Sequence, residues 1–491
     1  MRAYLLFLAS LLVLVAYSPV ALAQPDPPGG DHVRGGDPAA APPGLQPVLR
    51  QLAAAPSAQR IEADIRTLAG FGTRHTLSDT LSETRGIGAA RRWIRAEFER
   101  ISAACGGCLE VVEQRGLVAG ERRIPEATEV VNVLAILRGT SDPGRYLVMS
   151  GDIDSRASDV MDATIDAPGA NDNASGVAGV LEAARVLSEY RFPASIVFAA
   201  LSGEEQGLFG GRIMAERAVA EGWRIEAVLN NDMIGNVCGI NGVCDNTTAR
   251  VFAEGTRATE TPREATLRRY TGGEVDAPSR NLARYVDRIG EAYVRNLDVM
   301  MVYRLDRFGR GGHHRPFNDA GYPAVRIMET NEHYDRQHQD VRVEVEPEGT
   351  RRHYGDTVEF VDFDYAAKLT GLNAAALASM AWAPPPPSHV EIEGAVSANT
   401  TLRWAPIPRE QAPDLAGYKV YWRLTTEPEW TRSQWVGDVA AATLENVVID
   451  NYLFGVASVN RDGFESPVVF PGPAGTFDRV PPPEQRAEGE R

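Results

Sequence analysis

The sequence predicts an α/β protein: a mixed, mostly parallel central sheet sandwiched by helices, followed by a small all-β sandwich domain at the C-terminus. Three observations predict it. Apolar runs at 146–149 (YLVM), 195–201 (SIVFAAL) and 225–229 (IEAVL) end in polar residues or glycine, the pattern of strands buried on both faces of a parallel sheet. Between them, Val177, Val180, Leu181, Ala184 and Leu187 recur at helical spacing, which lays one apolar stripe against such a sheet. Past a Pro-rich linker at 383–388 (APPPPS), short stretches at 402–404, 417–422 and 452–460 alternate apolar and polar residues, as half-buried strands do.

The 491-residue chain opens with an export signal at 1–23: Arg2, an apolar core at 5–15, and the small-residue cleavage site Ala21-Leu22-Ala23. That core is short for a membrane span and no later apolar run is long enough for one. The mature chain is therefore expected without a span, in the periplasm or outside the cell. Residues 24–44 are rich in Pro and Gly and predict a disordered linker, with His32 simply solvated. A large domain at 45–382 follows. Helical spacing begins with Val48, Leu49 and Leu52, continues through Ile61, Ile65 and Leu68, and returns around 89–101. Strands are expected at 109–112 and 130–137, and a turn at 139–144 leads into the first of the three apolar runs. Asn171, Asp172, Asn173 and Ser175 are good capping types and mark the start of the helix carrying Val177. Further helices follow Gly207 and span 281–297 and 365–382, with a strand at 322–328. The β domain covers 389–476, and the Pro- and charge-rich 477–491 reads as a flexible tail.

A net charge of −16 and a pI near 5.1 argue against a nucleic-acid partner, which would need a basic face; the acidity also serves ordinary solubility. The four cysteines fall as two local pairs, Cys105/Cys108 and Cys238/Cys244. A redox pair or a four-cysteine zinc site are the alternatives to structural disulfides. Cys105-Gly-Gly-Cys108 closes a helix and precedes a strand, the reverse of a redox motif, so disulfides are the expectation in an exported chain.

The chemistry gathers where the apolar runs end. Asp152, Asp154, Asp172, Glu204, Glu205 and Asp232 all follow strands or open a helix, and in an open α/β sheet that edge binds ligands. Six acids at one edge repel one another unless cations sit among them, which predicts a metal site. His314, in the Gly-rich segment 310–317 between two strands, is a candidate imidazole ligand. Glu204 and Glu205 at one strand end can divide the work, one on a metal and one taking a proton from its water.

Taken together and in order, these motifs over 45–382 resemble the co-catalytic zinc exopeptidases, the family of bacterial leucyl aminopeptidase, aminopeptidase Y and glutamate carboxypeptidase. The resemblance implies that 45–382 is a metallopeptidase domain acting on peptide or protein substrates. Asp172 would bridge two metals, Glu205 and His314 would complete the first site, and Asp232 would serve the second. Glu204 would be the general base and Asp154 a carboxylate supporting the ligands from behind. A cis peptide after Asp172 is also implied. Two positions depart from the pattern. Asp152 stands where the family has its first His ligand, so the second site becomes Asp152, Asp172 and Asp232, all oxygen donors. The expectation is one tight zinc and a second site taking zinc or a harder ion such as Mn, Mg or Ca. His313 stands where the family often has Asp, either supporting the ligands or a developing oxyanion, or without a role. Tyr334 and His338 are weaker candidates for the substrate end of the pocket.

The C-terminal stretch resembles a fibronectin type III domain through Trp404, Tyr418, Tyr421, the Tyr452-x-Phe454-x-Val456 strand, Asn460 and Gly463. It either packs on the large domain or serves a surface or protein partner. The leading functional reading is an exported metalloaminopeptidase. The alternatives are a carboxypeptidase using Arg310, Arg315 or Arg326, a one-zinc glutaminyl-cyclase-like acyltransferase, and a non-catalytic metal-containing binding protein.

Overall fold

The apolar runs become the centre of an eight-stranded sheet in this computed structural model, which describes residues 40–489, with side chains to residue 486. The expected signal at 1–23 and most of the expected linker lie outside the described residues. Three helices lead in: α1 (Pro47–Ala54), α2 (Ala58–Gly70) and α3 (Gly86–Ala104). Next come β1 (Leu109–Val118), β2 (Thr128–Leu137), β3 (Asp142–Asp152), α4 (Gly176–Leu187), β4 (Ala194–Leu201), α5 (Phe209–Ala220) and β5 (Arg224–Asn231). The second half adds β6 (Thr248–Phe252), α6 (Pro262–Thr271), α7 (Pro278–Tyr293), β7 (Asp298–Val302), α8 (His314–Asp319) and β8 (Ala324–Glu329). A hairpin, β9 (Arg342–Val345) and β10 (Arg351–Tyr354), precedes the closing helix α9 (Phe363–Trp382).

The strand order is β1-β2-β4-β3-β5-β8-β6-β7. β4, β3, β5 and β8 run parallel, while β2 and β6 pair with their inner neighbours antiparallel. The parallel centre is sealed from water on both faces: Leu147, Val148, Met149, Ile196, Val197, Phe198, Val228 and Leu229 are fully buried. Each such side chain contributes about 1.5–3 kcal/mol of transfer free energy. The C-terminal ends of all four parallel strands therefore open on one edge. The capping residues before α4 do something other than cap. Residues Ala170–Ser175 form a π-turn with a cis peptide between Asp172 and Asn173, and the first amide of α4 is taken by the Asn173 side chain. The turn is pressed onto the sheet, since a Cβ on Gly151 would come within 2.5 Å of the Gly176 backbone. Gly169, at φ 52°, leaves no room for one either, with Asp172 O at 2.5 Å from its position.

After α9, two three-stranded antiparallel sheets form the β domain. One contains β11 (Ser388–Glu393), β12 (Thr400–Ala405) and β15 (Ala441–Leu444). The other contains β13 (Leu415–Leu424), β14 (Arg432–Gly437) and β16 (Tyr452–Asn460). Trp404 meets Tyr418 between them, ring centroids 5.2 Å apart. Asp276 accepts from Arg284 at 3.0 Å and from Arg423 of β13 at 2.8 Å, all buried. Trp382 packs on Phe464, and Arg288 pairs with Glu465 at 2.6 Å. The β domain thus shares a core with the large one. The segment expected as a flexible tail also lies along the large domain: Val480 N donates to Gly321 O, Arg486 pairs with Glu264 at 2.8 Å, and α10 (Pro483–Gly489) ends the description. Its arginines serve as docking groups, Arg479 donating to Ala320 O and Arg486 pairing with Glu264. Both cysteine pairs form disulfides, Cys105–Cys108 and Cys238–Cys244.

Candidate metal centre

Every acid singled out in the sequence sits at the edge where the parallel strands end. Asp152 is the last residue of β3, Glu204 and Glu205 follow β4, and Asp232 follows β5. Asp154, fully buried, organises the pair after β4: its Oδ1 accepts from Glu204 N at 3.1 Å and its Oδ2 from Glu205 N at 3.0 Å. The Thr76 hydroxyl donates to the same Oδ2 at 3.0 Å. Asp172 is presented by the π-turn. Asp356 receives the backbone amides of Asn171 and Asp172, and Asn171 Nδ2 donates to Glu329.

Three side chains then converge: Asp172, Glu205 and His338 bring one ligand atom each to within 4.8 Å of one another. His338 Nε2 is 2.9 Å from Asp172 Oδ2 and 2.9 Å from Glu205 Oε1. Arg156 Nη2 and His338 Nδ1 are 2.7 Å apart; a ring bound to a metal through Nε2 would carry its proton on Nδ1 and would need Arg156 to turn away from that nitrogen. Burial alone would raise both carboxyls, but His338 outweighs it and holds Asp172 and Glu205 below the usual carboxylate range. Two ionised oxygens and an imidazole nitrogen suit zinc, whose tetrahedral ligands at about 2.0–2.1 Å stand roughly 3.3 Å apart. The two separations measured from His338 Nε2 come within about 0.4 Å of that. Glu204 lies beside this trio. Burial, reinforced by Glu205, Asp232 and Asp152, pushes its carboxyl well above the usual range, so it is a ready proton acceptor once a cation offsets its neighbours.

His314 does not join the trio, which corrects the sequence reading. Its Nε2 bonds to Leu305 O at 2.9 Å and stands 3.6 Å from Asp306 Oδ2. Burial drops its pKa to about 4. It opens α8 ahead of β8, whereas His338 follows the C-terminal end of β8, on the edge that carries the acids. His313 reaches Asp152: Nδ1 and Oδ1 are 2.5 Å apart. Burial lowers this ring to about 4 as well, so it is neutral. The other Asp152 oxygen accepts from Asn173 Nδ2 at 2.8 Å. Asp232 Oδ2 pairs with Arg326 Nη2 at 2.7 Å, and its Oδ1 is buried without a hydrogen bond. Burial opposes the Arg326 charge, but Asp232 and Asp306 outweigh it and raise its pKa further. Tyr334 is more than half exposed, and Arg307 and Arg310 both pair with Glu332.

The family model described as peptidase family M28 matches residues 132–359, a span that includes each member of this centre. A probable zinc metalloprotease of Pyricularia oryzae is 45% identical over 417 residues, 84% of this chain and 82% of that protein. The chain belongs to peptidase family M28. A second relative, from Leptosphaeria maculans and also called a probable zinc metalloprotease, is 45% identical over 85% of this chain and 95% of its own length. Among solved structures, this M28 chain is similar to the LapA aminopeptidase of Legionella pneumophila: TM-score 0.47, 17% identity, 68% of this chain and 72% of that one. It is also similar to a glutaminyl cyclase of Porphyromonas gingivalis: TM-score 0.44, 16% identity, 66% and 98%. Likeness at that distance does not distinguish one reaction from another.

Four residues of this M28 centre are absent from the sequence reading or undervalued in it. His338 was placed only at the substrate end. Arg156, Asp356 and the role of Arg326 as the partner of Asp232 left no local trace. For His338 a signal existed, because the rule that selected the acids also selects an imidazole just past the end of β8.

Proposed function

We propose that this M28 chain is an exported zinc-dependent exopeptidase that removes N-terminal residues from peptides. The observation that carries the reading is the Asp172–Glu205–His338 trio with Glu204 beside it. A zinc ion bound there would supply Lewis-acid polarisation of a carbonyl and would make a water more acidic. Asp172, Glu205 and His338 would hold it, with Arg156 paired to the second oxygen of Glu205. Glu204 takes the proton from the attacking water and passes it to the leaving amine. Asp154 fixes the backbone of both glutamates and so sets base and ligand at a constant offset. The names of the 45%-identical relatives agree with zinc and with peptide cleavage.

The polarity of the pocket favours an amine over a carboxylate end. Arg156, Arg307, Arg310 and Arg326 each already pair with a protein carboxylate. Asp232 Oδ1, buried and without a hydrogen bond, is an acceptor suited to a substrate ammonium. Export agrees with the two disulfides and the N-terminal signal. We read 389–476 as a fibronectin type III-like domain whose Arg423 and Glu465 face the large domain.

The test is turnover by purified protein, wild type and Glu204→Gln, on three substrates: a leucyl peptide, a peptide blocked at its amino end, and a peptide beginning with Gln. Release of the leucyl residue by wild type alone supports the proposal. Cleavage of the blocked peptide from its carboxyl end, or pyroglutamate formation without hydrolysis, overturns it.

A further inference from the structure

The trio accounts for one cation; the other half of the acidic edge is neutralised differently. The donors expected for a second ion are Asp172, Asp152 and Asp232. Both oxygens of Asp152 are engaged, one by His313 Nδ1 at 2.5 Å and one by Asn173 Nδ2 at 2.8 Å. Asp232 Oδ2 carries Arg326 Nη2 at 2.7 Å. Arg326 projects from the middle of β8, is completely buried, and is fixed from the far side: Nη1 is 3.2 Å from both Asp306 oxygens and 2.9 Å from Gly311 O. Arg307 adds a second guanidinium at 4.0 Å from Asp232 Oδ2. A guanidinium does not lose its proton in a protein, so this charge is permanent.

We propose that Arg326 stands in for the second metal, so that the chain holds a single divalent ion at Asp172, Glu205 and His338. This replaces the second oxygen-donor site anticipated from the sequence, and it rests on the trio being the zinc site. A fixed cation hydrogen-bonded to Asp232 supplies positive charge to that half of the edge, and a divalent ion on the same carboxylate would be repelled by it. The substitution of His by Asp at 152 fits the same scheme. With no second ion to ligate, Asp152 is free to bond His313 and, through Asn173, to hold the π-turn that presents Asp172.

The experiment is metal content per chain after zinc saturation and dialysis, with electron paramagnetic resonance of the manganese-loaded protein. One ion per chain and the spectrum of an isolated manganese ion support the inference. Two ions, or an exchange-coupled spectrum, overturn it while leaving the peptidase reading intact. No bound ion fails the zinc reading and this inference with it. Asp232→Asn, which keeps an oxygen acceptor for Arg326 while removing the carboxylate charge, separates the cases: content stays at one here, whereas a drop from two to one shows Asp232 to be a ligand. The double variant Arg326→Met with Asp152→His, if it folds, rises to two ions per chain. A folded double variant that stays at one shows that Arg326 is not what excludes the second ion.

Discussion

Replacing each of two histidines separates the trio from its rival. His338→Ala removes the one nitrogen that lies 2.9 Å from both Asp172 and Glu205, leaving two carboxylates as the only protein donors. Changing residues that merely support a ligand weakens metal binding by about 10–100-fold, so losing the ligand itself should weaken zinc by about 100-fold or more, ~2.8 kcal/mol at roughly 1.4 kcal/mol per tenfold. His314→Ala removes a partner of Leu305 O and a neighbour of Asp306. That removes a part-buried hydrogen bond and costs about 0.5–1.5 kcal/mol of folding stability, with zinc affinity changed by less than a factor of about three. Chelator competition gives the affinities and chemical denaturation gives the stabilities. The reasoning is refuted if the His314 variant loses its zinc while the His338 variant keeps it.

Glu204→Gln should lower turnover by about 10²–10⁴-fold while zinc content stays unchanged; a loss of metal in this variant would make Glu204 a ligand. Asp276→Ala leaves the buried Arg284 and Arg423 facing each other and should cost about 3–5 kcal/mol. Both domains should still melt in one calorimetric transition because they share a core, and two separate transitions would contradict that. Asp287, buried between α7 and the β domain and bonded to Glu429, is pushed up to about 8 by burial and by Glu429 and Glu291. Its proton binds more tightly in the folded state, so the stability it contributes is full below an unfolded value of about 4 and is lost as pH rises through about 8. Asp287→Asn should flatten the fall in melting temperature across that window, and an unchanged slope would count against the assignment.

What the sequence shows and what it hides follow from how local each signal is. β3, β4 and β5 are legible because burial on both faces forces unbroken apolar runs. The acids that follow them are legible because each strand end is marked. The disulfides close over short separations, so neighbouring cysteines point to each other. Arg326 hides for the opposite reason: one arginine inside the run AVRIME looks like an outward-facing strand position, and Asp232, which makes it tolerable, is distant in sequence. His338 sits in a polar stretch, RQHQD, with no glycines to single it out, while His313 and His314 form a conspicuous pair. Segment 248–252 and the β9–β10 hairpin were not anticipated, since short, partly exposed strands lack a long apolar run. The tail was misread because composition cannot reveal that Gly321, Glu264 and Ala320 wait to receive it.

The carboxylate of Asp154 spans two consecutive peptide groups, and that has a mechanical consequence. Proton acceptor and metal holder hang from a single hook and cannot be tuned apart by any shift of the loop that carries them. The spacing of base and ligand is thereby set by one buried side chain rather than by the loop that carries them.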